Sequence, residues 1–325
     1  MCTAITYKTK NHYFGRNLDL DYSYHESVTV TPRNYSFKFR KTEEMKTHYA
    51  IIGMANVEDN FPLYYDAINE KGLGMAALSY FRNVDFKECT QGKFNIAPFE
   101  FIPWILGQCA DLEDAKKLLA NINLAKICFN EKFPISPVHW IISDKNSSVT
   151  VEAVKEGVMV YDNPVGVLTN DPSFDMQLFN LNNYMNLTPE TPENTFSDKI
   201  DLFPYCKGMG AVGLPGDLSS PSRFVKATFT KLNSVCEESE SESISQFFHI
   251  LGSVYQQRGS VRTGKDKYEI TYYSSCCNQD TGIYYYTTYE NSQITAVNMN
   301  NENLDGKELA VYPLIRSQQI NYING

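Results

Sequence analysis

The most informative residues of this chain are its first seven, Met1–Tyr7 (MCTAITY). Chain termini are usually frayed and tolerant of change, so a reactive side chain at the second position is unusual. An initiator methionine is normally removed when a small residue follows it, and Cys2 would then carry both a thiol and a free α-amine. Because an α-amine titrates close to neutral pH, it can act as general base for the thiol of the same residue. The alternative is an ordinary small second residue.

A second stretch, residues 14–22 (FGRNLDLDY), contains the groups that would assist such a thiol. Gly15 permits a tight turn, after which we expect a strand that runs back beside the first. Arg16 and Asp19 on that strand would reach Cys2. A cation beside a thiol raises its thiolate fraction, and a carboxylate can hold an amine by a hydrogen bond. Without Cys2, this pair would be interpreted as a surface ion pair of little energetic value.

The composition is that of an ordinary globular protein, with 325 residues, 42% of them hydrophobic and 21% charged. Its 22 Tyr and 19 Phe residues favour a sheet-rich fold. A net charge of −9 gives a field that repels nucleic acid. No apolar run has the length of a membrane span, and the first twenty residues contain no apolar signal segment. We therefore expect a cytoplasmic protein with no membrane or nucleic-acid partner.

The eight cysteines are expected to be reduced, as is usual in the cytoplasm. None forms a CxxC pair, and the adjacent Cys276 and Cys277 are poorly placed to bind one metal. The sequence predicts no metal and no cofactor. A papain-like Cys–His enzyme remains an alternative that needs one of the histidines beside a cysteine. His139 and His249 lie among apolar neighbours and are predicted to be core or pocket-wall residues. The histidines that a papain-like enzyme could use as its base are His12, His25, His48, His139 and His249.

No repeat or linker divides the chain, so residues 1–325 are predicted to form a single domain. An acidic stretch, residues 236–245 (CEESESESIS), is predicted to be a solvated loop that enters a helix. Helices are predicted at 111–122, capped by Asp111, at 220–232, capped by Ser220 with Pro221 first, and at 243–255. Alternating residues predict strands at 27–32 and 147–154, and a hairpin over 282–299 that turns at Glu290-Asn291. This order suggests helices packed on antiparallel sheets.

Two polar residues stand out among apolar neighbours. Asn170 follows an apolar strand in residues 166–175 (GVLTNDPSFD), and Arg223 lies just inside a helix that follows a Gly/Pro-rich loop. An amide can donate to a developing oxyanion, and a guanidinium can polarise a site or hold a carboxylate. Taken separately, Asn170 is also typical of a turn and Arg223 of a helix start.

Together these stretches resemble the conjugated bile acid hydrolases (choloylglycine hydrolases) of gut bacteria, to which the penicillin V acylases are related. The resemblance runs in the family's order from Cys2 to the C-terminus. It is carried by MCTAITY, FGRNLD, residues 64–78 (YYDAINEKGLGMAAL), 98–109 (PFEFIPWILGQC), 166–175, 213–229 (GLPGDLSSPSRFVKATF) and 283–299 (IYYYTTYENSQITAVNM).

The resemblance implies an N-terminal-nucleophile hydrolase of α+β class. Its fold would be a four-layer αββα sandwich, with two antiparallel sheets between layers of helices. It further implies a homotetramer whose substrates are small conjugated bile acids, cleaved at the amide that joins the bile acid to glycine or taurine.

The resemblance also assigns roles. Cys2 matches the nucleophile, whose own amine is the base. Arg16 matches the arginine beside the thiol, and Asp19 the carboxylate that orients the amine. Asn170 matches the side-chain donor of the oxyanion hole. Arg223 matches the arginine that supports the surroundings of the cysteine.

One position departs from the family pattern. Ser79 stands where the bile salt hydrolases usually have Asn and the penicillin V acylases Tyr. The family uses the backbone N–H of this residue in the oxyanion hole, so Ser79 should keep that contact while its side chain alters substrate preference. The resemblance also implies an apolar pocket for the steroid, and the residues at the family's pocket positions are Leu18, Tyr65, Phe129, Phe133 and Val138.

Three functions remain open at this stage. The first is hydrolysis of glycine- and taurine-conjugated bile acids. The second is the same chemistry on penicillin V or an N-acyl homoserine lactone, which Ser79 keeps open. The third is a catalytically silent protein that binds bile acids or other amphipathic molecules.

Overall fold

The protein is built mainly from antiparallel strands, and a computed structural model describes its residues 1–324. The strands are β1 (Cys2–Lys8), β2 (His12–Leu20), β3 (Ser27–Thr31), β4 (Ile51–Glu58), β5 (Phe61–Asn69), β6 (Gly74–Ser79), β7 (Phe94–Ile96), β8 (Ile122–Leu124), β9 (Val138–Ser143), β10 (Ser148–Val154), β11 (Gly157–Asp162), β12 (Val167–Leu168), β13 (Val261–Gly264), β14 (Lys267–Asn278), β15 (Ile283–Thr288), β16 (Thr295–Asn298) and β17 (Ala310–Pro313). The helices are α1 (Phe101–Gln108), α2 (Leu112–Leu119), α3 (Phe174–Asn180), α4 (Ser220–Leu232) and α5 (Glu240–Gly252).

The strands form two large sheets. The first sheet has seven strands in the order β12-β1-β2-β14-β15-β16, with β13 also paired to β14. The second sheet has eight strands in the order β11-β10-β9-β6-β5-β4-β3-β17. A short parallel pair, β7 and β8, stands apart from both. The N-terminal strand thus lies inside the first sheet, where neighbours on both sides hold it in place.

The sheets pack face to face between helices, which confirms the predicted αββα sandwich. One core cluster joins residues of β1 and β2 to residues of β4 and β6, and includes side chains of α4 and α5 on the outer side of the first sheet. A second cluster packs α1 and α2 on the other face of the second sheet. Apolar burial on four successive faces holds the layers together.

The hairpin of β1 and β2 forms as expected, but its turn does not lie at Gly15. The chain reverses at residues 9–11, where the Thr9 N–H donates to Asn11 O at 3.0 Å. Gly15 lies inside β2, and a Cβ there would overlap the backbone carbonyl of Ser275 in β14. The glycine therefore permits close approach of two strands, so the predicted turn at this position is wrong.

The three predicted helices form, and two of them start earlier than predicted. Asp111 caps α2 by accepting from the Asp114 N–H at 2.9 Å, as expected. Helix α4 begins one residue earlier than predicted, with Ser219 as its N-cap residue. Helix α5 begins at Glu240, inside the acidic stretch, because the Ser239 hydroxyl accepts from the Glu242 N–H at its first turn. Within residues 1–324, no helix combines the length and apolarity needed to cross a bilayer.

Candidate active site

Cys2 is the first residue of β1 and is only 2% exposed. It pairs with Leu18 of β2, and Ala4 pairs with Arg16. Because side chains alternate along a strand, this register places Cys2, Arg16 and Leu18 on the same face of the first sheet, toward the second sheet. The Cys2 N–H donates to Asn170 Oδ1 at 2.9 Å, and its carbonyl accepts from the Arg223 guanidinium.

Arg16 lies fully buried between the two sheets. Its Nη1 donates to Tyr65 O at 3.2 Å and to Ala77 O, both on the second sheet. Its Nη2 is buried and has no hydrogen-bond partner among residues 1–324. Burial opposes the charge of Arg16, but the nearby Cys2 and the acidic groups around it raise its pKa above the ordinary value. The guanidinium thus stays charged and has one donor group to spare beside Cys2.

Asp19 points to the opposite face of β2 from Arg16 and is also fully buried. Its Oδ1 accepts from the Thr271 hydroxyl at 2.6 Å, at a bulge where β14 carries one extra residue opposite β2. Its Oδ2 has no hydrogen-bond partner in the described chain. Burial raises the pKa of Asp19, while Arg223 and the terminal amine act in the opposite direction.

Arg223, in the first turn of α4, connects the other groups. It is fully buried, donates to Asn170 Oδ1 and to Thr3 Oγ1 at 2.6 Å each, and donates from Nε to Leu218 O at 3.0 Å. Burial lowers the pKa of Arg223, and the nearby Asp19 and Cys2 partly offset this effect. The guanidinium fixes which end of the Asn170 amide is the acceptor.

The amide nitrogen of Asn170 therefore faces the other way, where it donates to Ser79 O at 2.8 Å. An amide NH₂ carries two hydrogens, so one remains for a further acceptor. The Tyr80 N–H donates to Pro137 O at 2.8 Å, so the alternation of an antiparallel ladder turns the Ser79 N–H away from β9. The pairing of β5 with β6 ends at Ala76, which leaves that N–H without a strand partner on its other side.

Cys2 and Ser79 line a cavity of about 380 Å³, whose walls are residues of β2, β5 and β6 and the loop that precedes β9. This volume is in the range of small-molecule sites. The five pocket residues expected from the sequence all line it, namely Leu18, Tyr65, Phe129, Phe133 and Val138. The structure thus gathers every one of the candidate site residues at this cavity or directly behind its floor.

The sequence interpretation missed other wall residues. Leu20, Tyr22 and Tyr24 also line the cavity. Together with Leu18 they form a run in which every second residue is apolar or aromatic, and this alternation is visible in the sequence. Phe81, Phe99 and Ile127 come from separate loops and carried no such signal.

The terminal amine in this structure belongs to Met1. It donates to Asp19 O at 2.7 Å and forms an ion pair with Glu269. Burial lowers the pKa of this amine. While Met1 is present, the Cys2 nitrogen is an amide and has no basicity.

The papain-like alternative finds no support in the described contacts. None of the histidines in residues 1–324 is hydrogen-bonded to a cysteine; His139 contacts Glu152 and Thr169 instead. No group of three or more His, Cys, Asp or Glu side chains is placed to hold a metal ion in that part of the chain.

The four-layer sandwich, with a cysteine at the start of a buried strand under an apolar cavity, defines an amide hydrolase of N-terminal-nucleophile architecture. Residues 2–312 match the family described as linear amide C–N hydrolases, choloylglycine hydrolase family. The chain belongs to this family, and it is an enzyme of that class.

Curated relatives agree over the full length. The chain is 56% identical to a bile salt hydrolase/transferase of Lactiplantibacillus plantarum over 324 residues, 100% of both chains. It is 41% identical to a bile salt hydrolase/transferase of Clostridium perfringens over 330 residues, again 100% of both.

Solved structures agree on the fold. The C2A mutant of the conjugated bile acid hydrolase from Clostridium perfringens superimposes with a TM-score of 0.92 at 40% identity, covering 100% of both chains. Penicillin V acylase from Agrobacterium tumefaciens shares the fold at a TM-score of 0.74 and 18% identity, covering 95% of this chain and 90% of its own.

Proposed function

We propose that this enzyme cleaves the amide bond of glycine- or taurine-conjugated bile acids through the thiol of Cys2. One observation carries the proposal: Cys2 lines an apolar cavity of about 380 Å³, with Arg16 on the same face of the sheet and Asn170 hydrogen-bonded to the Cys2 N–H. The names of the relatives supply the substrate class. Family membership also favours catalysis over the silent binder.

In the proposed reaction, removal of Met1 first leaves Cys2 with a free amine, and the unpartnered Oδ2 of the buried Asp19 is its acceptor. The amine takes the proton of the thiol as sulfur attacks the amide carbon. The carbonyl oxygen becomes an anion held by the Ser79 N–H and the Asn170 amide. Arg16 stabilises the thiolate through its spare Nη2 donor.

Collapse of the tetrahedral intermediate breaks the C–N bond and forms a thioester between Cys2 and the bile acid. The proton held by the amine passes to the departing nitrogen of glycine or taurine. Water, deprotonated by the same amine, then attacks the thioester. The products are the free bile acid and the restored thiol, so no cofactor takes part.

The test is incubation of the purified protein with taurocholate and glycocholate, followed by assay of the released amino acid. Mass spectrometry of the N-terminal peptide should show Cys2 as the first residue. Absence of release by a protein with a free, unblocked Cys2 would contradict the proposed function.

The second candidate is the same chemistry on penicillin V or an N-acyl homoserine lactone. Ser79 favours it, because its side chain lines the cavity beside Cys2 and its hydroxyl makes no hydrogen bond within the described residues. A comparison of kcat/KM on penicillin V and taurocholate separates the two, since that ratio measures discrimination. A higher value on penicillin V would favour the second candidate.

Ser79 is expected to set the preference between taurine and glycine conjugates. Ser79→Asn should change the ratio of kcat/KM for taurocholate and glycocholate by up to about tenfold, because it adds an amide next to the departing group. Ser79→Ala is the matched variant, since it removes only the hydroxyl. Both variants keep the backbone N–H, so hydrolysis itself should continue. An unchanged ratio in both variants would show that the side chain does not contact the departing amino acid.

We propose that the chain forms one domain. We further propose that four copies assemble as a homotetramer through an arm, which consists of residues 185–212. The arm exposes large apolar side chains, and such patches mark interfaces. These side chains are Met185, Phe196, Phe203, Tyr205 and Val212, each 66% exposed or more. We also propose that the protein is cytoplasmic and binds no nucleic acid, because its net charge is −9 and its sequence contains no basic patch.

The combined substitution Phe196→Asp, Phe203→Asp and Tyr205→Asp should dissociate the assembly, because charges are costly in a buried apolar contact. Light scattering should show the mass fall from four chains toward one or two. Val235→Asp is the matched control, since Val235 is 89% exposed but lies outside the arm. A triple variant with unchanged mass would exclude the arm as the interface.

A further inference from the structure

A second polar cluster lies behind the candidate oxyanion donors and is absent from the reaction above. It consists of His139, Glu152 and Tyr80, all with 0% exposure. His139 Nδ1 lies 3.0 Å from Glu152 Oε1, and the Tyr80 hydroxyl donates to Glu152 Oε2 at 3.1 Å. The rings of Tyr80 and His139 are stacked, with centroids 4.4 Å apart and planes within 5°.

Both ring nitrogens of His139 are occupied. Nε2 lies 3.0 Å from the carbonyl oxygen of Thr169, which can only accept, so Nε2 carries a hydrogen. Nδ1 is hydrogen-bonded to Glu152 Oε1. Glu152 Oε1 also accepts from the Phe174 N–H at 3.0 Å. A buried carboxylate is thus paired and hydrogen-bonded on both oxygens, as burial of a charge requires.

The cluster joins the two sheets at the oxyanion donors. His139 and Glu152 lie in β9 and β10 of the second sheet, whereas Thr169 follows β12 of the first. Tyr80 is the residue after Ser79, and Thr169 is the residue before Asn170. His139 therefore contacts the immediate neighbours of both donors, one through its ring face and one through Nε2.

We propose that His139, held by Glu152, is a positioning residue that sets the separation of the Ser79 N–H and the Asn170 amide. This inference rests on the proposed function, in which those two groups hold the oxyanion. His139 does not line the cavity, so it would not contact a substrate bound there. Its loss should therefore lower kcat and leave KM nearly unchanged.

The other contacts of this region show what His139 adds to the positioning of Asn170. Thr169 Oγ1 and the Asn170 N–H are bonded to Ser220 Oγ at 2.9 and 2.8 Å, and the Asn170 carbonyl accepts from Gln177. These contacts anchor residues 169–170 to the helical side of the first sheet. Three contacts join this segment to the second sheet and to the chain that follows β6. Asn170 Nδ2 donates to Ser79 O, and the Phe81 and Arg82 N–H groups donate to the Asp171 carboxylate at 2.9 and 3.0 Å. The third is the contact of His139 with the Thr169 carbonyl, the one that holds the backbone just before Asn170. A shift of about 1 Å at a catalytic group can cost a factor of about 100 in rate.

The test compares His139→Gln with the unchanged enzyme on taurocholate. Glutamine has no group in the position of Nδ1 and no ring to stack on Tyr80, so the chain of contacts from Glu152 through residue 139 to Thr169 O is broken. The expected result is a kcat lower by about ten- to a hundredfold, with KM within about twofold. Alkylation of Cys2 by iodoacetamide, followed by mass spectrometry of the N-terminal peptide, should proceed within about twofold of the parent rate, because displacement at a saturated carbon needs no oxyanion hole.

His48→Gln is the matched control. His48 is 8% exposed, and its ring nitrogens also contact backbone carbonyls, those of Tyr49 at 2.6 Å and Tyr35 at 2.9 Å. It lies outside the cavity wall, so its variant should keep the parent kcat even if it melts at a lower temperature.

Three results would overturn the inference: an unchanged kcat for His139→Gln, a parallel loss of Cys2 alkylation, or an equal loss of kcat in His48→Gln. If His139→Gln does not fold, Tyr80→Phe decides the question, since it keeps the ring and removes one hydrogen bond. It should lower kcat on the order of threefold, and an unchanged value would refute the positioning role. A parent enzyme that releases no amino acid would instead contradict the proposed function itself.

Discussion

Cys2→Ala is expected to abolish hydrolysis of taurocholate, with kcat lower by at least about 10⁴-fold. The thiol is the only proposed nucleophile, and neither Arg16 nor Asn170 can form the acyl-enzyme in its place. Cys2→Ser should also be strongly impaired, because a hydroxyl is a far weaker nucleophile than a thiolate at neutral pH. Release of taurine at saturating substrate measures kcat for each variant.

Cys89→Ser is the matched control, because Cys89 is exposed and lies outside the cavity wall. It should retain the parent rate. Both Cys2 variants should keep the melting temperature within a few degrees, since the backbone contacts of residue 2 to Asn170 and Arg223 do not involve the thiol. A Cys2→Ser enzyme with full activity would refute the covalent mechanism for bile acids and for penicillin V alike.

The second large effect is expected at Asn170. Asn170→Ala should lower kcat by about 10²- to 10³-fold, the loss that follows removal of one oxyanion donor. Asn170→Asp should lower it comparably, because it keeps an acceptor for the Cys2 N–H and Arg223 but replaces the NH₂ by an oxygen. Similar losses in the two variants would identify the donor as the group that matters.

Asn163→Ala is the control for the loss of a buried amide. Asn163 is 3% exposed, and its side chain contacts Thr150, Gly166 and Val167, away from the cavity. It should lower the melting temperature and leave kcat unchanged. If Asn170→Asp kept the parent kcat, the oxyanion would have to be held without this amide.

Local patterns in the sequence were sufficient for the hairpin of β1 and β2. Alternation along residues 14–22 predicted that Arg16 and Asp19 lie on a strand beside the first, and the structure confirms that these two strands pair. The two side chains lie on opposite faces of β2, as their odd spacing implies. The alternating pattern alone does not say which neighbouring element each face contacts. The position of the turn was wrong, because Gly15 is required by the close approach of β14, a strand some 260 residues away.

Asn170 and Arg223 illustrate the opposite case. They lie 168 and 221 residues from Cys2 along the chain, and each separately fits an ordinary turn or helix start. Their relation to Cys2 came from family resemblance alone. The hydrogen bonds that orient the Asn170 amide exist only once α4 has packed on the first sheet. Likewise, nothing local in the sequence marks His139 and Glu152 as partners.

The sequence by itself determined the cysteine at position 2, the strand-rich class and the pairing of the first two strands, because strand alternation depends on near neighbours. Its resemblance to a family supplied the layered architecture and the candidate residues. Only the tertiary structure decided which atoms of Asn170 and Ser79 are left to donate, which Arg16 nitrogen stays unpartnered, and how His139 joins the sheets. These features depend on packing between distant strands, since a hydrogen-bond donor is free or occupied only when all of its neighbours are in place.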